Sequence, residues 1–397
     1  MLRFLTAGES HGQALVAILE GMPAGVPIDA DALTRDLRRR QGGYGRGRRM
    51  AIESDRADIL SGVRRGLTTG GPIALLIPNK DWQNWQKTMT VGPEAPPDAS
   101  GANRAPVTRP RPGHADLAGA LKYELEDIRD VLERASARET AARVATAGLA
   151  RQLLAAFHIE VLSHVVRIGD VAIPEALAVP VSRIRAIPAD SPLHCADLAI
   201  EAQMIAAIDA AREAGDTLGG AFEVVVSGVP VGLGSYVHWD RKLDGRLAQA
   251  LMSIQAIKGV GVGKGPAVAE LPGSRIHDEI VPVAAAPTGH PAVGVSRLTN
   301  NAGGLEGGVT NGEEIRVTGY MKPIATLMKP LRSVDLTTLE PSPAAIERSD
   351  VCAVTAAAVV GEAMVALVVA DAWLEKFGGD SLAEIQRNYA ATTGTVR

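Results

Sequence analysis

An almost wholly apolar run, residues 351–370, places the strongest constraint on how this chain can fold. It is about long enough to span a bilayer, but Glu362 stands in its middle and the run is rich in alanine rather than leucine. An unpaired carboxylate at mid-membrane costs roughly 3 kcal/mol or more. The run therefore predicts a buried core helix, inside a final helix that starts near Pro343, and not a membrane span.

The composition is that of a globular protein with a large core. The 397 residues are 46% hydrophobic and 22% charged, and length alone suggests two or three domains. No linker rich in Ser, Gly or charge separates the predicted elements, and this favours one domain over 1–397. Strands and helices without a regular βα period indicate an α/β or α+β fold.

Charge and cysteine content argue against several classes. A formal charge of −4 is unlike the basic surface of a general nucleic-acid binder. Cys195 and Cys352 are far apart and outside any CxxC spacing, so neither a disulfide framework nor a thiolate metal site is indicated. No secretory signal is evident at the amino terminus. A reducing cytoplasm fits best.

Local patterns predict the other elements. A strand over 2–7 leads into the glycine-bounded segment 8–12, after which the sequence fits a strand as easily as a helix. Asp29 is predicted to cap a helix over 30–40 that ends at Gly42 and Gly43. The remaining predictions are strands at 71–78 and 221–232, helices at 117–132 and 136–157, an amphipathic helix over 247–257 after a cap at Asp244, and a Gly- and Asn-rich loop at 300–312.

Residues 79–113 are polar and rich in proline. A loop this long inside a compact protein is usually functional or disordered. We interpret it as a mobile active-site cover that orders when ligand binds.

Two short motifs suggest other chemistries but lack the necessary context. Residues 8–12 match the G-x-S-x-G of serine hydrolases, yet that motif needs a strand-to-helix turn in an established sheet, and only one strand precedes Ser10. Residues 259–265 resemble a phosphate loop, but the glycine spacing is wrong and Gly265 replaces the hydroxyl that binds Mg²⁺. A turn after a helix explains the second motif better.

Arginine is concentrated in three segments, 38–40, 46–49 and 104–111. An arginine run at a helix end is often only a solvated terminus. The glycine- and proline-rich surroundings, with few aromatic residues for base stacking, indicate a compact anion as the partner.

Eight segments, taken in order, resemble the chorismate synthases. They are GESHG at 8–12, RRRQGGYGRG at 38–47, RPGHAD at 111–116, SARETAARVA at 136–145, DGRLAQALMSIQAIKGV at 244–260, NNAGGLEGGVTNG at 300–312, MKPIATL at 321–327 and RSDVCAV at 348–354. The resemblance runs to about Tyr389. It implies a β-α-β-α sandwich, normally assembled as a homotetramer.

The resemblance also implies a reaction. Such a lyase uses reduced FMN to eliminate phosphate from 5-enolpyruvylshikimate 3-phosphate: the C3 phosphate leaves, a C6 hydrogen is lost, and chorismate forms without net redox change. NADPH would act as an indirect reductant, and we expect a separate flavin reductase because no long insertion suggests an added reductase module. A flavin-binding protein that has lost activity is the alternative, against which His11, His114 and Asp350 argue.

Site residues carry over by resemblance. His11 would protonate the departing phosphate, His114 would protonate or polarise reduced FMN, and Asp350 would relay the C6 proton through the flavin. The implied cofactor contacts are Arg134, Ala135, Ser136, Gln255, Ala256, Gly307, Lys322, Pro323, Ile324, Ala325, Thr326 and Arg348. The implied substrate contacts are Ser10, Arg40, Arg46, Arg49, Arg111 and Arg134.

Independent physical reasons support part of this set. Arginine suits phosphate and carboxylate because its planar fork gives paired hydrogen bonds. Ser136 opens a predicted helix with a capping-box pattern, Ser136 to Glu139, and a helix N-terminus attracts anions. Thr355 departs from the family's usual proline, and we expect it to loosen the turn before it. Ala135 often is serine in the family, a harmless change if the backbone makes the contact.

Overall fold

The computed structural model describes residues 1–47, 55–92, 106–282, 294–346 and 350–394. The strands are β1 (Arg3–Ala7), β2 (Ala14–Glu20), β3 (Asp58–Ile59), β4 (Val63–Arg64), β5 (Leu67–Thr68), β6 (Ile73–Pro78), β7 (Glu160–Ile168), β8 (Val171–Ala172), β9 (Gly220–Ser227), β10 (Ile257–Val262), β11 (Ile280–Pro282), β12 (Val295–Arg297), β13 (Leu305–Glu306), β14 (Val309–Thr310), β15 (Ile315–Met321), β16 (Arg332–Val334) and β17 (Pro341–Pro343). The helices are α1 (Ala30–Gln41), α2 (Trp82–Trp85), α3 (Asp116–Tyr123), α4 (Arg129–Arg134), α5 (Thr140–Ala155), α6 (Val181–Arg185), α7 (Leu198–Glu213), α8 (Leu243–Met252), α9 (Val354–Phe377) and α10 (Leu382–Gly394).

Two antiparallel sheets and the helices between them form the core. The first sheet has the order β1-β2-β6-β3 and the second has the order β10-β15-β9-β7-β8. Helix α5 packs on β2 and β6, α9 packs on β7 and β9, and the two helices pack against each other with α1 beside both. The inner faces of both sheets are therefore covered by the same helical layer.

The outer face of the second sheet carries a further layer. Along β9, Val224 belongs to the main core, whereas its neighbour Val225 packs with Ile184 of α6 in a separate cluster. Successive side chains of a strand point to opposite faces, so α6 lies on the face away from α9. The order sheet, helices, sheet, helix confirms the predicted β-α-β-α sandwich.

Helix α9 contains most of the apolar run. It is long and apolar enough to cross a membrane, but most of it is buried inside the protein. The Glu362 carboxylate is fully buried, and it accepts hydrogen bonds of 2.7 to 2.8 Å from Arg39, Arg151 and Ser163. Burial alone would raise the pKa of Glu362, but the two arginines outweigh burial and lower it to about 2. The prediction of a buried core helix is confirmed.

Helix α1 begins and ends where the sequence predicts. The Asp29 side chain accepts a hydrogen bond from the backbone N–H of Asp31, and the Gly42 N–H donates to the carbonyls of Arg38 and Arg39. The segment after Gly12 is a strand, β2, which the sequence had left open. The predicted strands at 2–7 and 71–78 correspond to β1 and β6.

Other predicted bounds were wrong, each for a local reason. The single helix predicted over 117–132 is two helices, because Glu124 takes a left-handed φ of 55° that ends α3. Helix α8 starts after Lys242 and not at a cap on Asp244, and Ile257 already begins β10. Helix α9 starts at Val354 because Pro341–Pro343 pairs with β16 as a strand.

The predicted loops contain short elements, and one predicted strand is shorter. Residues 300–312 carry the hairpin β13–β14, and the strand predicted over 221–232 ends at Ser227. The segment 79–92 contains α2. The centre of the predicted cover, 93–105, lies outside the described residues, so its mobility stays a prediction.

Candidate active site

Residues 8–12 form the turn that joins β1 to β2. Gly8 has a φ of +103°, and a Cβ atom there would lie 2.4 Å from the carbonyl oxygen of Ala14, so only glycine fits. The Asn79 amide donates hydrogen bonds to the carbonyls of Gly12 (2.6 Å) and Glu9 (3.2 Å). This is a hairpin turn and not the strand-to-helix elbow of a hydrolase, so the G-x-S-x-G match does not carry hydrolase chemistry.

His11 is held on this turn by a buried carboxylate. Its Nδ1 lies 2.7 Å from Oε1 of Glu133, and its backbone N–H donates to Oε2 of the same side chain at 2.7 Å. The indole of Trp85 stacks on the imidazole with ring centroids 3.8 Å apart and planes 23° apart. The ring is therefore fixed at one edge and on one face.

Ser10, Arg134 and Ser136 gather beside His11. The Ser136 hydroxyl donates to that of Ser10 at 3.2 Å, and the buried Ser10 donates its N–H to the carbonyl of Glu133 at 3.1 Å. Arg134 donates to the carbonyls of Gly8 (3.0 Å) and Thr6 (2.9 Å). We refer to Ser10, His11, Glu133, Arg134 and Ser136 as the His11 cluster.

Ser136 caps a 3-10 turn, Ala137–Glu139, that leads directly into α5. Its hydroxyl accepts the Arg138 N–H at 3.3 Å, which confirms the predicted cap. The reciprocal half of the capping box is wrong, because the Glu139 carboxylate turns away. It accepts hydrogen bonds from Thr6 (2.6 Å) and Gln255 (3.3 Å), and it pairs with Arg143.

Arg40 is buried beside two further arginines, Arg46 and Arg138. Asp55 pairs with Arg40 at 3.1 Å and also with Arg138. Burial, together with repulsion from Arg138 and Arg46, lowers the pKa of Arg40 to about 10 despite the nearby Asp55. Within the described residues, Nε of Arg40 is buried without a hydrogen-bond partner. We refer to Arg40, Arg46, Asp55 and Arg138 as the arginine cluster; the repulsion on Arg40 favours an anionic ligand beside it.

Arg46 and Asp350 join this cluster to the segment before α9. Their side chains pair at 2.7 Å, and the Gly47 N–H donates to Asp350 at 2.6 Å. Thr355 follows in the first turn of α9, where a Cβ atom at Gly43 would lie 2.8 Å from the Thr355 Cβ. The predicted Arg49 and Arg348 lie outside the described residues.

His114 forms a second cluster with Arg111 and Asp116. Its Nδ1 lies 2.5 Å from Oδ1 of Asp116, and Arg111 binds the other oxygen through Nε at 2.8 Å. Arg111 also donates to the Thr326 hydroxyl at 3.0 Å. Burial alone would raise the pKa of Asp116, but the hydrogen bonds from His114 and Arg111 hold it well below its usual range. We call Arg111, His114, Asp116 and Thr326 the His114 cluster.

The Nδ1 atom of His114 also lies 3.0 Å from an Nη atom of Arg111. Arginine has only donors, so this contact and the one with Asp116 cannot both be hydrogen bonds from a single tautomer. We assign the proton on Nδ1 to the shorter contact with Asp116.

Further predicted cofactor residues adjoin the His114 cluster. The Lys322 ammonium donates to the carbonyl of Gly113 at 2.8 Å, and the Lys322 N–H donates to the carbonyl of Ala256 at 3.0 Å. Burial and the neighbouring Lys258 lower the pKa of Lys322. Gln255 keeps a buried Oε1 atom that has no hydrogen-bond partner in the described part of the chain.

Gly307 lies elsewhere, in the turn of the β13–β14 hairpin. Its φ of +61° explains the glycine, and a Cβ atom there would meet only Tyr236 at 3.8 Å. The surface around Gly307 is thus open, and its contact with a flavin stays a prediction.

Two short helices connect the clusters. Helix α3 follows His114, α4 carries Glu133, and the helices pack so closely that a Cβ atom at Gly119 would lie 2.5 Å from Val131. The described contacts do not join the two histidines directly. Across residues 1–47, 55–92, 106–282, 294–346 and 350–394, no group of three His, Cys, Asp or Glu side chains could hold a metal ion.

Sequence reasoning missed the residues that hold the predicted ones. Asp116 could have been found from its place two residues after His114. Glu133, Asn79 and Asp55 carry no comparable local signal, because their partners lie far away in the sequence. Trp85 was seen only as part of the predicted cover.

Comparison with known proteins gives one consistent result. A sequence model of the family described as chorismate synthase matches residues 2–374. A chorismate synthase from Moorella thermoacetica is 60% identical over 391 residues, which cover 98% of each chain. One from Geobacter metallireducens is 56% identical over 389 residues, again 98% of each chain. The crystal structure of a chorismate synthase, 41% identical, matches with a TM-score of 0.77 over 100% of this chain and 98% of the other.

Proposed function

We propose that the His11 and His114 clusters carry out the reaction of this chain's family. The chain belongs to the chorismate synthase family and is therefore a lyase that forms chorismate from 5-enolpyruvylshikimate 3-phosphate by loss of phosphate. One observation carries this proposal. Each predicted histidine is hydrogen-bonded at Nδ1 to a buried carboxylate, and each cluster contains a predicted substrate arginine.

The arginine cluster supports binding of a polyanion. Arg40 is buried beside Arg46 and Arg138, and burial and repulsion from these two arginines lower its pKa although Asp55 pairs with it. A phosphate or carboxylate group bound beside Arg40 would offset this repulsion. Arg134 from the His11 cluster and Arg111 from the His114 cluster would bind the remaining anionic groups, with Ser10 and, by resemblance, Arg49.

The residues present fit reduced FMN. The buried Oε1 of Gln255 has no hydrogen-bond partner among the described residues, and a flavin ring N–H would supply one. The next residue, Ala256, holds a left-handed φ of 68°. With Arg134, Ala135, Ser136, Gly307, residues 322–326 and Arg348, these would hold the cofactor. When bound, reduced FMN supplies an electron-rich ring that assists the departure of phosphate.

The histidines would move the protons. Loss of phosphate breaks the C3–O bond, and the leaving oxygen needs a proton that His11 would donate from Nε2. Because Nδ1–H stays on Glu133, the ring donates this proton as the imidazolium, with a proton on each nitrogen. His114 would act as a donor at the opposite cluster, also from Nε2, because Nδ1 of each ring is bound to a carboxylate. Histidine suits this work at neutral pH.

Asp350 would be the third participant, in the removal of the C6 proton. Its carboxylate is engaged by Arg46 and by the Gly47 N–H. Those contacts tie Asp350 to the proposed substrate arginines.

The test is anaerobic. Protein, photoreduced FMN and substrate are mixed and phosphate release is followed; stoichiometric phosphate and chorismate support the proposal, and no release above a flavin-only control contradicts it. Repeating the assay in air with NADPH and oxidised FMN tests for intrinsic flavin reductase activity. We expect none without added reductase.

Assembly and location belong to the same proposal. We expect a homotetramer in the cytoplasm that receives reduced flavin from a separate reductase, with NADPH as the indirect electron source. The burial of α9 within the core supports a protein that does not sit in a membrane. Sedimentation at several protein concentrations tests the tetramer.

A further inference from the structure

The contacts that surround His11 begin and end on one helix, α4. Glu133 and Arg129 lie four residues apart on α4, the spacing of neighbours on one helix face. Glu133 binds the edge of the His11 ring. Arg129 lies over the ring of Trp85 at 5.5 Å, and Trp85 stacks on the face of His11 at 3.8 Å.

We propose that Glu133 is a positioning residue for His11: it holds the proton of the imidazole at Nδ1, so that proton exchange during the reaction takes place at Nε2. This inference rests on the proposed role of His11. Both oxygens of the buried carboxylate are used for this one residue, since Oε2 accepts the His11 backbone N–H and Oε1 accepts Nδ1–H.

The double acceptance makes the carboxylate irreplaceable by an amide. A carboxylate accepts at both oxygens, whereas a glutamine has one acceptor oxygen and an NH₂ group that only donates. In Glu133→Gln, the amide oxygen would still accept the hydrogen bond from the His11 backbone N–H. The NH₂ group of the same amide would then face Nδ1 of the ring. The ring would then have to present Nδ1 as an acceptor and move its proton to Nε2.

Stacking on Trp85 keeps the His11 ring in its position against Glu133. With Trp85 against one face, the ring cannot swing away from Glu133 without breaking the stack. Trp85 is itself fixed, because its indole N–H donates to Asp81 at 2.9 Å. A carboxylate that orients a metal-bound histidine typically matters 10- to 100-fold, and one that fixes the tautomer of a catalytic histidine can matter more.

The experiment compares Glu133→Gln with Glu201→Gln. Glu201 is also a buried carboxylate, and it accepts hydrogen bonds from the Ser191 hydroxyl and the Leu193 N–H, far along the chain from His11. We expect Glu133→Gln to lower kcat by about 10²-fold with little change in KM, and Glu201→Gln to leave kcat within about threefold. Equal, small effects of both variants on kcat would overturn the proposal.

A double-mutant cycle separates positioning from general damage. If Glu133 acts through His11, adding Glu133→Gln to His11→Ala lowers kcat no further. A full additional loss in the double variant would show that Glu133 acts independently of His11 and would sink the proposal.

Nitrogen-15 spectra of histidine-labelled protein give a readout that does not need the reaction. The wild type should show His11 protonated at Nδ1, and Glu133→Gln should move that proton to Nε2, with His11→Ala used to assign the signals. If the variant fails to fold, the wild-type spectrum decides alone: a neutral ring protonated only at Nε2 overturns the proposal. A protein inactive in the phosphate assay but protonated at Nδ1 would contradict the proposed function and leave the hydrogen bond established.

Discussion

The side-chain nitrogen of Asn79 donates a hydrogen bond of 2.6 Å to the carbonyl oxygen of Gly12. The oxygen of the same amide accepts from Arg138 at 2.9 and 3.1 Å. One asparagine thus connects the turn that carries His11 to the arginine cluster, and the relative placement of the two depends on it.

Replacing Asn79 by alanine should reduce both stability and activity. It removes the hydrogen bonds of Asn79 to the buried carbonyl of Gly12 and to the buried Arg138, and each buried group that loses its partner costs about 1–3 kcal/mol. We expect a loss of about 3 kcal/mol in urea unfolding and a fall in turnover of at least tenfold. Asn388→Ala, which removes one bond to the carbonyl of Phe377, should cost only about 1 kcal/mol; equal losses would contradict the connecting role.

His11→Ala and His114→Ala should each lower turnover by roughly 10²–10⁴-fold while the fold stays intact, because each removes a proton donor. Phosphate release measures the turnover, and circular dichroism shows whether the fold is intact. His238→Ala is the control, since His238 is exposed and pairs only with its neighbour Asp240 among the described residues. A variant of His11 or His114 with near-normal turnover removes that residue from the mechanism.

Arg46→Lys should lower kcat/KM about tenfold or more, since lysine cannot present two parallel donors to an anion. The charge at Asp350 is still balanced, so stability should change little. Arg185→Lys on the surface, where Arg185 pairs with Glu160, should leave kcat/KM unchanged. An unaltered kcat/KM in Arg46→Lys would show that Arg46 is structural.

The ion cluster around Glu362 predicts a pH-dependent stability. Its pKa is lowered to about 2 in the folded protein, against about 4.3 in an unfolded chain. The stabilisation by the charged carboxylate is therefore full above the unfolded value and is lost as the pH falls toward 2. Glu362→Gln should cost about 3 kcal/mol at pH 6, and its deficit relative to wild type should shrink at pH 3. A deficit that stays constant in urea unfolding at both pH values refutes this.

Thr355→Pro tests the departure from the family's usual residue. Thr355 is the second residue of α9, where a helix does not need the backbone N–H. The sequence led us to expect that threonine loosens the turn, but Asp350 is held by Arg46 and by the Gly47 N–H. We therefore expect turnover to stay unchanged and stability to rise by about 0.4–1 kcal/mol. A marked gain in turnover would instead show that threonine loosens the turn before it and misplaces Asp350.

Local chemistry in the sequence was sufficient for much of the fold. Asp29 and Gly42 mark both ends of α1 because caps act within a few residues. The break at Glu124 was missed because nothing in its identity demands a left-handed conformation. The start of α9 was missed because the pairing of Pro341–Pro343 with β16 is set by tertiary structure.

The candidate site, like the fold, could be predicted from the sequence only in part. His11 and His114 stand in motifs that the sequence displays. The carboxylate on His11 comes from 122 positions away, and the ring that covers it comes from a proline-rich loop. Which side chains contact His11 depends on how α4 and α2 pack against the β1–β2 turn. No short sequence pattern predicts that packing.

The position of α9 in the chain has a consequence for protein synthesis. The described strands of both sheets all precede this helix, so the ribosome delivers Phe222 and Val224 before the surface that covers them exists. Until Val354–Phe377 emerges from the ribosome, the nascent polypeptide exposes the apolar surface that this helix later buries. We therefore expect chaperones to bind the growing chain, and a premature stop before Val354 to yield insoluble material.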